Sequence, residues 1–154
     1  MSSDQDTFRK LAIESRFLEE AATELQSRVS MTNAALAELK VSSMTLDGLE
    51  KEKKDAQLFV PIGGGSYIKA RLETAKKVIV GIGADIAVEK SVKETKEDLQ
   101  ARIAELEKNR DTLGQQFNQV IEKIQENRSE LESISAKLRV GEKASGVRKA
   151  KKGT

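Results

Sequence analysis

Residues 57–90, QLFVPIGGGSYIKARLETAKKVIVGIGADIAVEK, alternate apolar and other residues with a period of two. This stretch holds the only proline, Pro61, the only tyrosine, Tyr67, and five of the ten glycines. Leu58, Val60 and Ile62 share one face, and Ile68, Ala70 and Leu72 follow the turn at Gly63-Gly64-Gly65. Val78, Val80 and Ile82 repeat the pattern, with Ile86 and Val88 after the turn at Gly83-Ala84-Asp85. Alternation broken by glycine-rich turns predicts two β-hairpins, with strands near 58–62, 68–72, 78–82 and 86–88. Four short strands with an apolar face and open edges are not stable alone in water, so this insert needs a partner sheet.

The flanking segments have a different period. Before the insert, Phe8, Ser15, Ala22, Val29, Leu36 and Ser43 repeat every seventh residue, as do Leu11, Leu18, Leu25, Thr32, Leu39 and Leu46. After it, Val92, Leu99, Leu106, Leu113, Val120, Asn127 and Ile134 form one row, and Lys96, Ile103, Arg110, Phe117, Ile124, Leu131 and Leu138 the other. Uninterrupted heptads predict coiled-coil helices over 7–54 and 91–140. Asp6 or Thr7 is the expected cap of the first helix, and Ser91 with Glu94 has the spacing of a capping box for the second. Matching lengths on either side of a short insert predict an antiparallel pair. Phe8 and Leu11 then lie near Leu138 and Leu131, and Leu46 lies near Leu99. The fold class is α+β: a long two-helix coiled-coil hairpin with two β-hairpins at its base. Residues 1–6 and the lysine-rich segment 141–154 read as disordered. The polar seam residues Ser15, Thr32, Lys96, Arg110 and Asn127 set register or, at Ser15 and Asn127, loosen the seam so the helices can splay.

Composition excludes several kinds of chemistry. The chain has no histidine and no cysteine, so it lacks the commonest general base, thiolate metal ligands and disulfides. Charged residues make up 34% and aromatics 3%, a balance suited to long exposed helices rather than a thick core. Residues 1–55 carry eight Lys/Arg against eleven Asp/Glu, whereas 141–154 carry five against one. The body is therefore not a nucleic-acid surface, and the basic segment has no aromatic residue for stacking on bases. No apolar run reaches the ~20 residues of a membrane span, and MSSDQDTF has no secretory-signal pattern, so a cytoplasmic protein is expected. The glycines at 63–65 and 81–83 lack the P-loop and dinucleotide patterns, and strands rather than helices follow them. Neither an enzyme nor a cofactor is expected. The carboxylates alternate with lysine and arginine on solvated helix faces, and Phe8, Phe17 and Phe117 are expected to pack rather than to stack on a ligand.

The motif Leu58-Phe59-Val60-Pro61-Ile62-Gly63-Gly64-Gly65-Ser66-Tyr67-Ile68, with 77–84 (KVIVGIGA) and Val88-Glu89-Lys90, resembles the archaeal prefoldin alpha subunits. The helix–hairpins–helix layout is similar over about 7–140. The resemblance implies a hexamer with two alpha and four beta subunits, its hairpins closed into a double β-barrel. It also implies an ATP-independent chaperone, or holdase, that grips unfolded proteins at the helix tips and delivers them to a group II chaperonin. The assembly residues are then Leu58, Val60, Ile62, Ile68, Ala70, Leu72, Val78, Val80, Ile82, Ile86 and Val88. The expected client-binding tips are Phe8, Leu11, Ile13, Ile134, Leu138 and Val140, exposed by fraying of the terminal turns. The alternative is a structural or adaptor coiled-coil subunit of another prefoldin-like complex.

Overall fold

A computed structural model describes residues 2–150, with side chains from 3 to 141. The elements are α1 (Ser2–Glu50), β1 (Gln57–Gly63), β2 (Ser66–Arg71), β3 (Lys77–Gly83), β4 (Ile86–Ser91) and α2 (Val92–Ala150). Two compact units divide them. A terminal unit combines the chain up to Met31 with the chain from Arg110 onward, and a hairpin unit comprises Thr32–Asn109.

Every heptad position named above is half-buried or buried. Ala22, Leu113, Ile124 and Ile134 are the buried apolar residues of the terminal unit, and Leu36, Leu46, Val92 and Ile103 those of the hairpin unit. Antiparallel pairing shows in each unit separately. In the terminal unit Arg128 meets Glu19 at 3.2 Å. In the hairpin unit Lys40 meets Glu107 at 2.9 Å, and Gln100 Nε2 donates to Ser43 Oγ at 3.5 Å.

The helices are displaced at three of four ends. α1 begins at Ser2, so residues 2–6, expected to be disordered, are helical. Thr7 does not cap the helix; its Oγ1 donates back to the Ser3 carbonyl at 2.8 Å, inside it. Asp4 in the first turn complements the helix dipole, and no proline stops the helix from extending. At the other end α1 stops at Glu50 rather than Lys54. Asp55 adopts φ 65° there, and its N–H donates to the Leu72 carbonyl at 2.8 Å, which turns the chain into β1. α2 continues past Arg139 and Gly141 to Ala150, so residues 141–150 of the segment expected to be disordered are helical, and 151–154 lie outside the described residues. The two glycines of this stretch, Gly141 and Gly146, cost a helix only about 1 kcal/mol each, and the surrounding alanine, lysine and arginine favour its continuation.

The fourth end falls where expected. Ser91 Oγ accepts the Glu94 N–H at 3.1 Å, and Thr95 Oγ1 donates to the Ser91 carbonyl at 2.8 Å. Ser91→Ala therefore removes an N-cap and lowers stability by about 1 kcal/mol. A urea titration followed by circular dichroism measures this, and an unchanged midpoint would show that the cap contributes nothing.

The hairpins form two separate two-stranded sheets, β1-β2 and β3-β4. They repeat each other at a spacing of twenty residues. Leu58 faces Ala70 and Val60 faces Ile68 in the first; Val78 faces Lys90 and Val80 faces Val88 in the second. Register shifts at equivalent places, between Pro61 and Gly63 and between Gly81 and Gly83. Gly63 and Gly83 adopt φ 101° and 108°, a region that side chains rarely permit, and two left-handed residues follow each (Gly64 and Gly65, Ala84 and Asp85). These are the positive-φ pairs of type I′ hairpin turns.

The expectation of one apolar face per hairpin needs correction. Phe59, Tyr67 and Ile79, at intervening positions, are 62%, 63% and 79% exposed. The second face of each sheet is therefore mixed, with these apolar residues beside Lys69 and Arg71 in the first hairpin and Lys77 and Glu89 in the second. The shift after Pro61 and Gly81 leaves Ile62 and Ile82 without a directly facing residue, and Leu72 lies one residue beyond β2.

Candidate functional site

Two surfaces carry more exposed apolar area than a solvated protein needs. The first is the hairpin pair. Val60, Ile62, Ile68, Ile82 and Ile86 are exposed, while Leu58, Ala70, Leu72, Val78, Val80 and Val88 are half-buried. Val80 and Ile82 line a cavity of about 710 Å³ together with Leu99 and Arg102 of α2. Each sheet has only two strands, so each presents unpaired backbone edges as well as uncovered side chains.

Lysines tie the hairpins and the nearby ends of the helices together. Lys77 meets Glu89 at 2.8 Å and Lys90 meets Asp98 at 2.8 Å. Lys96, a seam residue, is held between Asp47 at 2.6 Å and Glu50 at 2.7 Å on α1. Hydrogen bonds to these carboxylates, reinforced by the opposite charge, raise all three lysines above the ordinary 10.5. A raised lysine pKa contributes stability at neutral pH that is lost as pH climbs through the raised value, so these pairs persist through the physiological range.

The second surface lies on the terminal unit. Ile13 is 58% exposed and Val140 68%, both off the seam. Phe8, Leu11 and Leu138 are half-buried, and Ile134 is buried in the seam. Phe8 lines a cavity of about 390 Å³ with Leu131, Ser135 and Arg139. Thus Phe8 and the Leu131 region do meet, while Ile13 and Val140 face outward. Val140 is not in a frayed last turn, because α2 continues ten residues beyond it. Phe17, expected to pack, is instead 66% exposed. It lies four residues from Ile13, so the two share one helix face. The off-seam position of Phe17 was the sequence signal for this.

Among the described residues, no group of three His, Cys, Asp or Glu could hold a metal ion, and no helix is long and apolar enough to cross a membrane. The geometry is that of an α+β protein in which two long antiparallel helices carry a pair of uncovered β-hairpins. The family model for prefoldin subunits matches residues 18–137. The prefoldin subunit alpha of Methanobrevibacter smithii is 31% identical over 143 residues, covering 93% of this chain and 97% of the relative. That of Pyrococcus horikoshii is 31% identical over 145 residues, covering 94% and 87%. A chain of the filamentous PFD of Methanocaldococcus jannaschii, solved by cryo-EM, superposes with a TM-score of 0.65 at 24% identity, covering 76% of this chain and 98% of that one. The chain belongs to the prefoldin family and has the fold of a prefoldin-type chaperone subunit.

Proposed function

We propose that this chain is the alpha-type subunit of a cytoplasmic, ATP-independent holdase that binds unfolded proteins at the ends of its helices and passes them to a group II chaperonin. The observation that carries the reading is the exposure of Ile13, Phe17 and Val140 on the terminal unit; Met31, Val41 and Met44 are the other exposed large apolar residues among the described helix positions. Apolar side chains on a narrow support meet the apolar segments of many unfolded chains weakly, and several such supports on one body raise overall affinity through effective concentration. The uncovered hairpins supply that body. Their open edges and exposed apolar residues suit closure by the sheets of beta-type subunits, in a hexamer of two alpha and four beta chains.

The test is suppression of aggregation by the assembled protein after apyrase has removed nucleotide. Full suppression is expected, because neither glycine-rich turn leads into a helix that could hold a phosphate. Loss of suppression on nucleotide removal would refute ATP independence. Assembly without any suppression would favour the structural or adaptor role.

A further inference from the structure

The second face of the first hairpin combines two features that the second hairpin lacks. Across β1-β2, Gln57 faces Arg71, Phe59 faces Lys69 and Pro61 faces Tyr67. Facing residues, and alternate residues of one strand, point to the same side of a sheet, so these six share one face. All six are exposed. One of the chain's four phenylalanines and its single tyrosine therefore lie in water side by side with two cations and no carboxylate. Among the described residues, neither Lys69 nor Arg71 has an ion pair or a side-chain hydrogen bond. Twenty residues on, the second hairpin puts Lys77, Ile79, Gly81, Ala87, Glu89 and Ser91 in the same places. That face has no aromatic ring, and Lys77 and Glu89 neutralise each other at 2.8 Å.

An assembly that closes the sheets over Leu58, Val60, Ile68 and Ala70 leaves this second face on the outside. Its rings and cations lack apolar contact and negative charge, which a ligand of one kind would supply together. Lys69 and Arg71 are one strand repeat apart, ~7 Å, and Tyr67 precedes Lys69 by the same step. An extended segment laid alongside repeats at that interval. We propose that this face docks an acidic segment of a partner protein, extended, with an aromatic or branched apolar residue followed at alternate positions by two carboxylates. The apolar residue packs on Phe59 and Tyr67. The carboxylates pair with Lys69 and with Arg71, whose guanidinium takes one in a bidentate pair. A second copy of this chain does not fit, because the only carboxylate in its four strands is Glu89, which Lys77 already holds. Single-stranded nucleic acid also offers rings and charge, but it follows a cationic groove over several nucleotides. Two cations one strand repeat apart match two carboxylates better. Docking here goes beyond the holdase reading and does not involve the helix ends.

The probe is a fluorescent peptide, GSWSDSESG, titrated by anisotropy against the full-length assembled protein at about 0.1 M salt. Saturable binding is expected, with the neutral peptide GSWSNSQSG about tenfold weaker. Lys69→Glu with Arg71→Glu is expected to weaken binding of the acidic peptide about tenfold or more. Phe59→Ser with Tyr67→Ser is expected to weaken it severalfold, through lost apolar burial. Lys10→Glu with Arg16→Glu makes the same change of net charge on the terminal unit and is expected to leave binding unchanged. Sedimentation and the holding of unfolded lysozyme are expected to be unchanged in all three variants, which separates this site from assembly and from client capture. Equal affinity for the two peptides, or binding that survives either hairpin variant, would overturn the proposal. Equal weakening by the terminal-unit variant would reduce the effect to net charge and overturn it too. Loss of the assembly in the hairpin variants would make the face a subunit contact instead. A labelled oligothymidylate is titrated in parallel. If it binds more tightly than the peptide and is lost in the same variants, the face belongs to nucleic acid and the peptide assignment is wrong.

Discussion

Val80→Asp is expected to dissociate the proposed assembly and to leave the helices formed. Val80 faces Val88 across β3-β4 and lines the cavity against Leu99, half-buried before any second chain covers it. Once a partner sheet closes over the hairpin, aspartate at this position is a buried charge whose neighbouring cations, Arg102 and the Lys90 already paired with Asp98, offset its cost only in part. Such a charge costs about 3–5 kcal/mol, which weakens association on the order of a hundredfold or more. The helices do not depend on that closure. α2 starts from its own cap at Ser91, and its seam is already buried within the single chain. Sedimentation velocity should show a shift to monomer, while far-ultraviolet circular dichroism keeps nearly all its helical signal. Val80→Ala, which removes volume but adds no charge, serves as the milder comparison. An aspartate variant that sediments like the parent would mean the hairpins are not the assembly surface.

Changing Phe8, Ile13 and Val140 together to serine is expected to reduce client holding about tenfold or more while leaving the oligomer intact. Burying one such side chain against a client contributes about 1.5–3 kcal/mol at most, and multivalent attachment multiplies a modest loss at each support. Ile13 and Val140 are already largely exposed, so their replacement removes little from the folded protein. Phe8 is half-buried against the cavity lined by Leu131 and contributes most of any stability change. Adding Phe17→Ser should deepen the loss, because Phe17 extends the Ile13 face by one turn. The readout is light scattering of aggregating lysozyme, with sedimentation run in parallel. Undiminished holding here, combined with its loss on mutating Leu46 or Leu99, would move the client site from the helix ends to the neighbourhood of the hairpins.

What could be read from the chain before folding was whatever depends on near neighbours. The heptads repeat at the 3.5-residue period of a seam, so each named position proved half-buried or buried. Ser91 caps the residue three positions on, and each hairpin turn closes within a few residues. Near-neighbour rules were weaker at the helix ends. No residue forces α1 to begin at Thr7 or α2 to stop at Gly141, and favourable propensity carried both helices further. The tertiary structure decided the matters that depend on distant partners. Lys96 and Asn127 look alike in sequence, each a polar residue in an apolar row. Lys96 meets Asp47 and Glu50, more than forty residues away, whereas the Asn127 amide meets no acceptor. Phe59, Tyr67 and Ile79 likewise read as the outer residues of their strands, and the structure leaves them uncovered on two separate sheets. Period and capping are set by bonds a few residues long. Satisfaction of a buried polar group, and the cover over an apolar one, depend on which side chains folding places opposite.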